Sequence, residues 1–130
     1  MASTAIVVGY LATPEGEAAL EAAAVEAGRR GARVVVVASR RPSEDSASHD
    51  AAVERVRDRL DESGLGYEVR QLDQGRDVAE DLIETAEESQ AELIVIGLRR
   101  RSPVGKLILG SNAQRVLLDA PVPVLAVKSV

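Results

Sequence analysis

Four short apolar runs most constrain how this chain folds: residues 5–10 (AIVVGY), 33–39 (RVVVVAS), 92–97 (ELIVIG) and 123–127 (PVLAV). Brief, continuous apolar runs of this kind read as strands buried on both faces. A fifth candidate, residues 67–72 (YEVRQL), alternates, with Tyr67, Val69 and Gln71 on one face, as a half-exposed strand near a sheet edge does. Helical patterns separate the strands. Residues 14–30 are rich in alanine and glutamate, with Thr13 as a cap, Pro14 at the first helical position, Glu17 nearby and Gly31 as the stop. Residues 50–63 set Val53, Val56 and Leu60 at helical spacing, and residues 77–89 do the same with Val78, Leu82, Ile83 and Ala86. Residues 111–118 supply a fourth, shorter helix. Strands and helices in strict alternation force parallel pairing through right-handed crossovers. The expected fold is therefore α/β, a single open five-stranded parallel sheet of order 3-2-1-4-5 with helices on both faces. At 130 residues the chain is the size of one domain, residues 1–130.

Composition removes several function classes. Cysteine is absent and His49 is the only histidine, which excludes disulfides, thiolate metal sites and a histidine-based triad or metal cluster. Acidic residues outnumber basic ones 21 to 16, so the net charge of −5 gives no overall attraction to nucleic acid or anionic lipid. The two aromatic residues, Tyr10 and Tyr67, make no stacking platform for single-stranded nucleic acid. There is no signal-type segment and no apolar stretch of about 20 residues, so neither a membrane nor nucleic acid is an expected partner, and the expected location is the cytoplasm. His49, beside the polar connection at residues 40–49 (RRPSEDSASH), reads as exposed and without a role, and Glu44, Asp45 and Asp50 read likewise as loop acids. Glu80, Asp81, Glu84, Glu87 and Glu88 read as the solvated face of a helix. Tyr10 and Tyr67 read as strand residues with satisfied hydroxyls, Tyr10 at the end of strand one, within reach of a bound base.

The chemistry concentrates in residues 97–111 (GLRRRSPVGKLILGS). In this strand order, strands one and four are neighbours whose connections leave in opposite directions, so ligands bind at their carboxyl ends. The segment follows strand four and opens directly onto that crevice. Its glycines, Gly97, Gly105 and Gly110, let backbone amides approach an anion, and the helix opening at Ser111 presents unpaired donors with partial positive charge. Residues 97–118 also carry Arg99, Arg100, Arg101, Lys106 and Arg115 and no acid, in a chain that is acidic overall. The bland alternative is a short capped helix with a solvated arginine face. Two standard phosphate motifs fail. A Walker A loop would need glycine where Arg100 stands and a hydroxyl at Leu107, and the dinucleotide fingerprint that Gly64 and Gly66 begin lacks its third glycine at Val69.

Three blocks, VVGYLATPEGEAAL, GRDVAEDLIETAEESQAELIVIGLRRRS and LILGSNAQRVLLDAPVPVLAV, together spanning nearly the whole chain, resemble the universal stress protein family. The fold this resemblance implies is Rossmann-like, of the adenine nucleotide alpha hydrolase type. In members that bind ATP the loop pattern is GxxGx9G[ST], whose glycines and final hydroxyl hold the phosphates. Gly97, Gly110 and Ser111 match it, while Arg100 replaces the second glycine. ATP-binding members also carry an aspartate after strand one that contacts the nucleoside, and Leu11 stands there. The resemblance thus implies a stress-response regulatory protein with an altered site for ATP or AMP, with Mg²⁺. That site comprises Gly9, Tyr10, Leu11, Ser39, Gly97, Arg99, Arg100, Gly105, Gly110 and Ser111. No residue reads as a catalyst or metal ligand, and any ATP hydrolysis would be slow. Family members commonly dimerise through the last strand, here residues 122–127, where Val122, Val124 and Leu125 are apolar at a sheet edge. The alternative readings are a structural or partner-binding dimer without nucleotide, and a small α/β phosphotransferase using the same anion site.

Overall fold

The computed structural model describes residues 4–40, 44–72, 77–99 and 109–129. The elements run β1 (Ala5–Tyr10), α1 (Pro14–Arg30), β2 (Arg33–Ala38), α2 (Ser46–Ser63), β3 (Tyr67–Gln71), α3 (Val78–Ser89), β4 (Ala91–Leu98), α4 (Ser111–Asp119) and β5 (Val124–Lys128). The sheet has the order β3-β2-β1-β4-β5 and every neighbouring pair is parallel. β1 is flanked on both sides, with Val7 opposite Val35 of β2 and Ile94 of β4. The expected architecture and strand order are what the chain adopts.

The strands' apolar runs are explained by two cores, one on each side of the sheet. On one face Ile6, Val8, Val34, Val36 and Val95 pack against Ala19, Leu20 and Ala23 of α1 and Val53, Val56 and Leu60 of α2. On the other, Val7, Val35, Ile94 and Ile96 pack against Leu82 and Ala86 of α3 and Val116 of α4. Successive strand residues point to opposite faces, so a strand covered on both sides must be apolar at every position. β3 and β5 lie at the edges and mix partly buried with exposed residues, so the run at residues 123–127 forms an edge strand and not one buried on both faces.

The helix boundaries follow their caps. Thr13 Oγ1 accepts from Gly16 N at 3.1 Å, as its position before Pro14 predicts. Gly31 and Gly64 end α1 and α2 in the left-handed region, with φ of 65° and 73°. The second helix corrects the sequence reading. It begins at Ser46 rather than residue 50, because the Asp45 carboxylate accepts from Ser48 N at 2.7 Å and caps it. Serines that read as loop chemistry therefore form a first helical turn. His49 is accordingly a buried α2 residue and not an exposed one, with Nδ1 3.9 Å from Glu44 Oε1, itself shielded from solvent. Among the described residues no helix is long and apolar enough to cross a membrane.

Candidate functional site

A cleft of about 400 Å³ opens where β1 and β4 end, within the usual range of about 300 to 1,000 Å³ for small-molecule sites. Its walls are the β1–α1 turn, the end of β2, the end of β4 and the first turn of α4, above an apolar floor from Val78, Leu82, Ile96 and Val116. The topology alone puts the cleft there, since the chain leaves β1 toward one face and β4 toward the other.

α4 begins at this cleft without a side-chain cap. Its N-cap is Gly110, with φ −69° and ψ 166°, and among the described residues no side chain caps the helix. Ser111, Asn112 and Ala113 line the cleft, and the first amides of a helix have no partner within it. A Cβ on Gly110 would meet nothing within 4 Å among the described residues, so a side chain at this position would have room. First-turn N–H groups and the positive end of a helix dipole are the chemistry that favours an anion at such a wall.

The opposite wall is a close backbone junction. A Cβ on Gly97 would lie 2.3 Å from Glu15 O, and one on Gly16 would lie 1.8 Å from Leu11 O. The first turn of α1 therefore rests directly on the end of β4. Gly97 lines the cleft as expected, but the physical reason for a glycine is this contact with α1 rather than room for a phosphate. The same contact brings Glu15 into the cleft, with Oε1 4.0 Å from Arg99 Nε.

The match to known sequences decides the family. The sequence model of the universal stress protein family matches residues 3–128. The chain belongs to the universal stress protein family. A universal stress protein of Mycolicibacterium smegmatis is 45% identical over 126 residues, covering 95% of this chain and 96% of that protein. Among solved structures, a universal stress protein from Archaeoglobus fulgidus superposes with TM-score 0.78 at 33% identity, covering 97% of this chain and 98% of that one. Another from the same organism, solved in complex with dAMP, gives 0.76 at 30% identity over the same shares of the two chains.

In this universal stress protein fold, Gly9, Tyr10, Leu11, Ser39, Gly97, Arg99, Gly110 and Ser111 all line the one cleft. Arg100 and Gly105, also expected there, lie outside the described residues. Tyr10 directs its hydroxyl away from ligand duty, donating to the Glu17 carboxylate, and Ser39 Oγ donates to Tyr10 O at 3.4 Å. Burial, then the hydrogen bond and charge of Glu17, hold the Tyr10 phenol well above the ordinary tyrosine range. Arg115 departs from the expected cationic patch: its guanidinium bonds the Asp77 carboxylate, and Asp77 also caps α3 by accepting from Glu80 N at 3.1 Å. That cation ties α4 to α3. Sequence reasoning missed Glu15, Thr13, Arg40 and Asn112 as cleft residues. Glu15 is the carboxylate among the described lining residues. It stands in the first turn of α1, and only the contact of α1 with β4 reveals its place in the cleft.

Proposed function

We propose that this chain is a cytoplasmic regulatory protein of the stress response that binds an adenine nucleotide, AMP or ATP with Mg²⁺, in the cleft between β1 and β4. The observation that carries the reading is the start of α4 at Gly110, which has no side-chain cap, with its first-turn residues Ser111, Asn112 and Ala113 lining the cleft, an arrangement that suits a phosphate. The dAMP complex of the 30% identical Archaeoglobus fulgidus protein supports an adenine nucleotide as the ligand class. Tyr10 and Leu11 give the nucleoside end an apolar wall, and Arg99 and Arg40 add positive charge at the rim. The protein works as a homodimer joined at residues 122–127, where β5 leaves Leu125 exposed at an open sheet edge.

A second reading, a partner-binding dimer without nucleotide, draws on one observation: Arg99 and Arg115 already have acidic neighbours, Glu15 and Asp77. Gly110→Asp separates the two readings through effects of opposite sign. An aspartate at the N-cap accepts from the first-turn amides and complements the dipole, so the unliganded protein melts about 1 to 2 °C higher. The same carboxylate occupies and repels the phosphate position. Wild-type protein at 100 times Kd of AMP or ATP gains about 2.7 kcal/mol in a thermal-shift titration. The variant gains nothing. A wild type unmoved by millimolar nucleotide, or a variant that keeps the gain, favours the second reading.

A further inference from the structure

The inventory of hydrogen-bonding groups in the cleft assigns a role to a residue outside the phosphate wall. A nucleotide brings donors as well as an anion: its ribose hydroxyls lose water on entering and need acceptors. On the wall made by β1, the first turn of α1 and the end of β2, most side-chain capacity is already engaged. Thr13 Oγ1 accepts from Gly16 N at 3.1 Å, the Tyr10 hydroxyl donates to Glu17, and Ser39 Oγ donates to Tyr10 O at 3.4 Å. Arg40 Nη1 donates to Ser46 Oγ at 2.9 Å, and Leu11 has no polar side-chain atom. Main-chain carbonyls are engaged too, since Leu11 O accepts from Thr13 N at 2.8 Å and Tyr10 O from Ser39 N at 3.0 Å.

Glu15 is the one carboxylate among the described residues lining the cleft. Its side chain is 19% exposed, and its ionic neighbour, Arg99 Nε at 4.0 Å, is beyond hydrogen-bonding distance. The carboxylate is thus partly enclosed and available as an acceptor. Its backbone is held against β4, with the Glu15 carbonyl oxygen 2.3 Å from where a Cβ of Gly97 would lie. A carboxylate repels phosphate, so it belongs to the hydroxyl-bearing end of the ligand and not to the α4 end.

We infer that Glu15 is a specificity-determining residue that accepts hydrogen bonds from the ribose hydroxyls and so makes the cleft prefer a ribonucleotide over its dideoxy analogue. When phosphate enters, Arg99 can turn to it, leaving the Glu15 oxygens to the sugar. This assignment rests on the nucleotide reading above.

The test is calorimetric titration of AMP and 2′,3′-dideoxy-AMP, each with Mg²⁺ and with EDTA, into wild-type protein, Glu15→Ala and Glu15→Gln. Wild type binds AMP about tenfold or more tightly than the dideoxy analogue, with or without Mg²⁺, as expected for a bond to a charged acceptor. Glu15→Ala binds the two alike and holds the dideoxy analogue at least as tightly as wild type does, a result that general damage to the cleft would not give. Glu15→Gln, which keeps the shape but not the charge, lies between. Equal binding of both nucleotides by wild type, or a preference that survives in Glu15→Ala, overturns the Glu15 assignment and leaves the nucleotide reading standing. A preference lost only where Mg²⁺ is present makes Glu15 a cation ligand and also overturns it. Absence of binding by either nucleotide to wild type overturns both.

Discussion

At the scale of single residues, the glycines divide into those that the packing demands and those that it does not. A methyl on Gly97 would meet main-chain atoms of Glu15 at 2.3 and 2.7 Å, and main chain in a packed junction has little room to yield. Gly97→Ala is expected to cost about 1 to 3 kcal/mol in urea unfolding. Gly28, inside α1, has open space around its missing Cβ, so Gly28→Ala is expected to stabilise by about 0.5 to 1 kcal/mol. Equal effects at the two sites would show that the β4–α1 contact is not tight. Gly97 was legible as a glycine of the loop pattern, but its reason was not, because the pattern holds no information about which backbone lies 2.3 Å away. Gly16 gave no signal, looking like any helical glycine. Tyr10 makes a second residue-scale prediction. The folded protein holds its phenol protonated beyond the ordinary value of about 10, so its contribution to stability is whole below about pH 10 and fades as the pH climbs through the higher folded value. Tyr67 shifts the same way, chiefly through its 2.7 Å bond to Asp61 Oδ1. In absorbance titration at 295 nm, folded protein passes pH 10 with less than half the tyrosinate signal, and Tyr10→Phe removes the later of two steps. One joint step at pH 10 with the fold intact would contradict this.

At the scale of elements, the two edge strands are built differently. β3 carries Glu68 and Arg70, and Arg70 bridges to Glu68 and to Glu88 of α3, so this edge is charged. Charged side chains discourage pairing with another strand. β5 presents Val124, Leu125 and Ala126, with Leu118 of α4, 83% exposed, on the same chain segment leading into it. Association is expected at β5. Light scattering at micromolar concentration should give the mass of two chains, Leu125→Arg the mass of one, and Glu68→Ala no change. A wild-type monomer, or a dimer broken at Glu68 and not at Leu125, would contradict the dimer. The start of α2 shows where element boundaries escape a sequence. Asp45, Ser46 and Ser48 favour caps and turns alike, and only the 2.7 Å bond from Ser48 N to Asp45 resolves the segment into a helix start with His49 buried behind it.

At the scale of the whole molecule, the sheet order was legible because it follows from alternation and handedness, which need no side-chain detail. The cleft followed from the sheet order, and eight of the ten expected site residues line it. What escaped were contacts between distant elements: Glu15 carried into the cleft by the approach of α1 to β4, and Arg115 drawn off to Asp77. Both concern charge: one sets a carboxylate at the α1 side of the cleft, and the other pairs an expected cation with the acid that caps α3. A nucleotide phosphate is proposed to dock on the first-turn amides of α4. An amide NMR titration with AMP tests it most directly, since each first-turn N–H reports separately. The expected result is saturating shifts, largest at Ser111, Asn112 and Ala113. Spectra unchanged at millimolar AMP, or shifts concentrated away from α4, would contradict the account.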